Sequence, residues 1–90
     1  MTQVTEVRYS VAARNFIKRA DTKLKQLIKK AIDDLKTLPP IGDIKPMQGY
    51  RDGRMRKRIG KYRIIFRYDE NDNLIVLYVL DVGPRGDIYK

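Results

Sequence analysis

Two adjacent prolines, Pro39 and Pro40, divide this chain into halves that obey different periods, and that division constrains its fold more than any other feature. Proline lacks an amide donor and disfavours helix in the residue before it, so a helix arriving from the N-terminal side must end there. Before the prolines, Leu24, Leu27, Ile28, Ala31, Ile32 and Leu35 recur at the i, i+3, i+4, i+7 spacing of one helical face, with Lys23, Lys25, Lys29, Lys30, Asp33 and Lys36 opposite. After them, 54–59, 61–69 and 73–82 read as strands, separated by a tight turn at 59–61 and by the turn "DENDN". Helices first and strands later imply an α+β domain with helices layered on one sheet face.

The remaining elements fit that frame. Residues 4–9 alternate as a first strand, and Ser10 stands where a helix N-cap belongs. Val11, Ala13, Phe16, Ile17 and Ala20 mark a first helix, and Asp21 or Thr22 can cap the second. The segment 41–53 is rich in Gly, Pro and Asp, with room for a short edge strand over 44–47. The expected order is β-α-α-β-β-β, with one further strand possible, forming an antiparallel sheet beneath two N-terminal helices. Two alternatives stand beside it: a first helix continuous with the second, and "RMRKRI" as a loop. Ninety residues support one domain spanning 1–90, with one core.

Composition removes most familiar chemistries. The chain has no cysteine and no histidine, which excludes disulfides and thiolates and argues against zinc and imidazole acid–base catalysis. No metal and no cofactor are expected. No apolar stretch approaches a membrane span, so no membrane partner is expected and the cytoplasm is the default location.

The net charge of +9 is focused. Residues 45–67 carry nine basic side chains (Lys45, Arg51, Arg54, Arg56, Lys57, Arg58, Lys61, Arg63, Arg67) and one acid, Asp52. Strand alternation places Arg54, Arg56 and Arg58 on one face and Met55, Lys57 and Ile59 on the other. The next strand sets Arg63, Ile65 and Arg67 against Tyr62, Ile64, Phe66 and Tyr68. If the apolar faces align, five arginines converge on an exposed face with no acid between them. Like charges so close repel, and an anionic ligand relieves that repulsion, which points to a polyanion such as nucleic acid. The lysines of the second helix read as its solvated side. Gly83, Pro84 and Gly86 suggest a compact turn from which Arg85 or Tyr89 can reach the basic face, Tyr89 as a ring that stacks on a base.

The stretch "GRMRKRIGKYRIIFRYDENDNLIVLYVLDVGPRGDIYK" resembles the second half of RelE/ParE-superfamily toxins, in which a basic strand leads into a Gly-x-Tyr-Arg strand, an apolar strand and a terminal Arg and Tyr. The upstream strand, two amphipathic helices and Leu-Pro loop are similar too. The RelE-like branch, mRNA interferases acting on the ribosome and restrained by a cognate antitoxin, is the one the match suggests. The resemblance implies a catalytic set of Arg54, Arg56, Arg63, Arg85 and Tyr89. Arg54 and Arg56 stand where RelE has lysines, Arg63 matches the Gly-x-Tyr-Arg arginine, and Arg85 and Tyr89 match the C-terminal pair. Lys45, Arg51, Arg58, Lys61 and Arg67 are the accompanying RNA-binding candidates, with Gln48 near the upstream loop glycine. The implied partners are the antitoxin, mRNA and ribosomal RNA.

The implied reaction is attack of an RNA 2′-hydroxyl on its own 3′-phosphate, leaving a cyclic phosphate and a 5′-hydroxyl. Arginine suits the stabilisation of a phosphorane but stays protonated, so these residues supply cations and leave the proton acceptor open. A ParE-like toxin directed at DNA gyrase, or an inactive domain that binds only RNA or antitoxin, are the alternative functions on this fold.

Overall fold

A computed structural model describes residues 3–72 and 74–84. The elements run β1 (Glu6–Tyr9), α1 (Val11–Arg19), α2 (Thr22–Lys36), β2 (Asp43–Pro46), β3 (Met55–Ile59), β4 (Tyr62–Asn71) and β5 (Leu74–Pro84). The five strands form one sheet in the order β1-β5-β4-β3-β2. The meander from β2 to β5 is antiparallel as expected, whereas β1 lies parallel to β5 and makes the sheet mixed. A parallel neighbour needs a long crossover, and the helical hairpin with the meander behind it supplies one.

Both helices begin where the sequence places their caps. The Ser10 hydroxyl accepts from the Ala13 amide at 3.0 Å, and Asp21 Oδ1 accepts from the Leu24 amide at 2.8 Å. The first helix closes at Ala20, so the two are separate helices. Ala13 of α1 and Ile28, Ala31, Ile32 and Leu35 of α2 pack onto Ile59, Ile64, Phe66, Leu77, Val79 and Val82. Phe16 meets Tyr62 edge-on at 6.1 Å, and Tyr68 donates its hydroxyl to the Leu35 carbonyl at 2.7 Å. Val11 and Leu27, counted with the apolar stripes, are exposed. No helix among the described residues is long and apolar enough to cross a membrane.

Three local features shape the site. "RMRKRI" is a strand from Met55, and it turns into β4 through Gly60 and Lys61, with Gly60 at φ 64°. Gly83 and Pro84 are not in a turn: β5 continues through them, opposite Arg63 and Tyr62. Gly83 passes close to the Arg63 guanidinium, which a Cβ there would meet at an ordinary contact distance of 3.5 Å. Finally, the β4–β5 register slips between Ile65, opposite Asp81, and Phe66, opposite Val79, which leaves Leu80 as a bulged residue.

Candidate functional site: a cationic cavity on the open sheet face

Alternation on β3 and β4 divides their side chains as the sequence predicts. Met55, Lys57, Ile59, Ile64 and Phe66 turn toward the helices, and the arginines take the opposite face. Register converts this into rows across the sheet. Asp43, Arg58, Arg63 and Gly83 form one row, and Lys45, Arg56, Ile65 and Asp81 form the next.

Those rows overturn one expectation. The arginines are not free of acids. Arg58 Nε donates to Asp43 Oδ2 at 3.0 Å, and Arg63 Nη2 donates to Asp81 Oδ2 at 3.4 Å. Arg54 clamps Asp52 through Nη2 at 2.7 Å and Nε at 3.1 Å. Hydrogen bonding to Arg54 holds the Asp52 carboxyl below the ordinary carboxylate range, and the same bond raises the Arg54 guanidinium. The acids come from β2, β5 and the loop between β2 and β3. Sheet pairing brings in two of the three from outside the basic stretch, and they offset the repulsion between Arg58 and Arg63, which face each other directly.

Arg63 also departs from the expectation of an exposed cation. It is 7% exposed, and Ile65 beside it is equally buried. The segment 47–54, drawn closed by the Met47 amide donating to the Arg54 carbonyl at 3.1 Å, supplies Met47, Tyr50 and Arg54 to this face. With Arg63, Ile65, Leu80, Asp81 and Ala12 of α1 they line an open cavity of about 420 Å³. The Arg54 guanidinium lies 4.1 Å over the Tyr50 ring.

The distinctive feature is the hydrogen-bond account of Arg63. Its Nη2 meets Asp81, but Nε and Nη1 are buried without a partner among the described residues. Arg56 Nε is in the same state on the neighbouring strand. Buried donors left unpaired cost free energy, and they suit a ligand that brings several oxygens.

The remaining sequence candidates are placed as follows. Lys45 is exposed on β2, opposite Arg56 and on the same face. Arg67 is half-buried on β4 with its guanidinium 4.4 Å from the Tyr78 ring centroid. Arg51 and Lys61 are exposed, one in the 47–54 segment and one in the β3–β4 turn, and neither lines the cavity. Gln48 is exposed in the same segment as Arg51. Arg85 and Tyr89 lie outside the described residues. Lys57 points away from the site: it is buried under α2, where Nζ donates to the Ala31 carbonyl at 3.2 Å and to Asp34 at 3.4 Å. Sequence reasoning missed Tyr50, Asp43 and Asp81. The signal for Asp81 was present, since it falls in phase with Leu77 and Val79, whose side chains are core.

The site is a cavity with two arginines and one aspartate in its wall, on the open face of the sheet of a small α+β domain backed by a two-helix layer. Residues 7–89 match the model of the ParE toxin of type II toxin–antitoxin systems (parDE), and the chain belongs to this family, within the RelE/ParE superfamily. No curated protein sequence matches at a significant level. Among solved structures, the toxin–antitoxin complex RelBE2 from Mycobacterium tuberculosis is similar at 27% identity and TM-score 0.70, covering 97% of each chain. The YoeB/ParE toxin from Agrobacterium tumefaciens superposes with TM-score 0.77 at 20% identity, over 90% of this chain and 99% of that one. The archaeal RelE–RelB complex from Pyrococcus horikoshii gives 0.73 at 23% identity, over 96% and 98%. These last two show the fold.

Proposed function

We propose that this toxin is a metal-independent endoribonuclease that cleaves mRNA on the ribosome by 2′-hydroxyl attack and is held in check by a cognate antitoxin. The observation that carries the reading is Arg63, buried beside a cavity with two guanidinium nitrogens that have no partner among the described residues. A phosphodiester in that cavity gives them oxygens, and the charge that develops on a phosphorane strengthens those bonds in the transition state. Arg54 and Arg56 flank the phosphate, and Lys45, Arg58 and Arg67 extend the cationic surface along the RNA backbone, with Arg51 and Lys61 at its margins. Arg85 aids departure of the leaving oxygen and Tyr89 aligns the nucleotide, roles that rest on the family resemblance. An antitoxin partner is supported by neighbours that are themselves antitoxin complexes.

The test is expression of the chain alone, followed by mapping of mRNA 5′ ends. Cleavage at defined codon positions, lost in Arg63→Ala, is the expected result. Intact mRNA accompanied by stalled gyrase and a DNA-damage response sinks the nuclease reading. That outcome belongs to a gyrase-directed toxin, the second reading, which is favoured by the arginines at 54 and 56 and by the clamp of Arg54 on Asp52.

A further inference from the structure

We propose that Asp81 is the proton acceptor of the cleavage step, taking the 2′-hydroxyl proton of the RNA as that oxygen attacks the adjacent phosphorus. The inference rests on the nuclease reading and names the group that the arginines themselves cannot provide.

The first support is the bulge. Leu77 and Val79 are fully buried in the core, and strict alternation sends the residue at 81 to the same side. Leu80, left out of the register, shifts the phase by one. Val82 then enters the core and Asp81 emerges on the open face, opposite Ile65 and beside Arg63. Bulges recur next to active sites because they re-aim a single side chain.

The second support is the roster of the cavity wall. Ala12, Met47, Ile65 and Leu80 have no ionisable group, and Arg54 and Arg63 stay protonated. Tyr50 carries a phenol, a group that gives a proton more readily than it takes one. Asp81 is the one carboxylate among the described residues lining the cavity. Of the acids paired with arginines of the basic stretch, Asp52 is bound through both oxygens by Arg54, and Asp43 is held by Arg58; neither lines the cavity. Among the described residues Asp81 makes a single long side-chain contact of 3.4 Å, and its side chain is 43% exposed. Its second oxygen is available to a hydroxyl.

The third support is the shared guanidinium. Arg63 holds Asp81 through Nη2 and leaves Nε and Nη1 for phosphate oxygens. One planar group therefore sets the distance between proton acceptor and reacting phosphorus. As the 2′-oxygen–phosphorus bond forms, its proton passes to Asp81. The phosphorus–O5′ bond breaks with its electron pair on O5′, which takes a proton from water, and the hydroxide so formed removes the proton from Asp81. Atoms and charge balance, and the carboxylate is restored.

The experiment uses the full-length toxin, programmed ribosomes and mRNA, comparing wild type with Asp81→Asn and Asp81→Glu, each checked by thermal melting. Asp81→Asn keeps the shape and one acceptor oxygen but cannot take a proton, so kcat falls on the order of 10²–10⁴-fold with KM little changed. Asp81→Glu recovers part of that loss. The pH dependence of kcat should differ between wild type and Asp81→Asn, a change that a residue merely balancing the charge of Arg63 does not produce. Cleavage by Asp81→Asn within about threefold of wild type, or a loss confined to KM, overturns the assignment while leaving the nuclease reading intact. A wild-type protein that cuts no RNA overturns both. If Asp81→Asn melts at low temperature, the ratio of Asp81→Glu to Asp81→Ser activity decides: a ratio near one overturns the assignment.

Discussion

Lys57 and Arg63 are two buried cations on adjacent strands, and they illustrate opposite uses of one difficult placement. Lys57 lies under α2 and is 4% exposed, with its ammonium on the Ala31 carbonyl and Asp34. Arg63 lies on the other face of the sheet and is 7% exposed, with one nitrogen on Asp81 and two without a partner among the described residues. A cation removed from water is tolerated when its donors are satisfied. The lysine meets that condition from within the fold, whereas the described residues leave the arginine short of it. Burial alone therefore does not separate a structural charge from a functional one; the state of the donors does.

The largest expected effect breaks the functional side of this comparison. Arg63→Met fills similar volume without charge or donors, so the domain should still melt cooperatively. Under the nuclease reading, mRNA cleavage should fall about 10²–10³-fold, the loss typical of removing one preorganised donor to a developing oxyanion. A variant that folds and cleaves at the wild-type rate shows that the unpartnered donors serve no reaction. Arg56→Met, which removes a side chain with one buried nitrogen unpartnered among the described residues, should give a smaller loss in the same assay.

The structural side is broken at Gly42, which covers the lysine. Its φ is 126°, and a Cβ there would come within 2.7 Å of Lys57 Cε. Gly42→Ala therefore combines an unfavourable backbone region with displacement of a buried, hydrogen-bonded side chain. The expected loss is about 1–3 kcal/mol in urea unfolding, with little change in the cavity on the opposite face. Asp34→Ala should act in the same direction by about 1–2 kcal/mol, because it leaves Lys57 with the Ala31 carbonyl as its remaining acceptor.

How much of this could be read in advance follows the reach of each interaction along the chain. The two helices, their Ser10 and Asp21 caps, and the division of Met55, Lys57 and Ile59 from the arginines all follow from local periods. The carboxylates of the site do not. Asp43 meets Arg58 fifteen positions away and Asp81 meets Arg63 eighteen away, so only sheet register reveals them. The cavity beside Arg63 was hidden for a related reason: the 47–54 segment brings Met47, Tyr50 and Arg54 to a face that alternation alone leaves bare. The bulge at Leu80 is intermediate, since a charged residue in phase with a core stripe signals that the phase must change. The positions of Arg85 and Tyr89 relative to the cavity fall outside the described residues.

The smallest effects sharpen the comparison through alkaline pH. Burial depresses the Lys57 ammonium below its ordinary value, only partly offset by Asp34. A lysine with a lowered folded value carries its penalty in full below that value, and the penalty fades as pH rises toward 10.5. Lys57 therefore makes stability climb on the approach to that pH. Tyr68 works the other way. Burial pushes its phenol up to about 12 from 10.0, so above pH 10 the unfolded chain ionises first and stability falls across that interval. Urea midpoints measured from pH 8 to 12 should separate the two. Lys57→Met should change stability near neutrality by no more than about 1 kcal/mol, because well-packed apolar replacements of buried ions are often neutral or better. It should also flatten the climb below 10.5. Tyr68→Phe, which gives up the hydrogen bond to Leu35, should cost about 1 kcal/mol near pH 8 and remove the tyrosine's share of the decline above pH 10. An unchanged slope in Lys57→Met shows that its ammonium is as well accommodated in the fold as in water, and the contrast with Arg63 then rests on the arginine's unpartnered nitrogens alone.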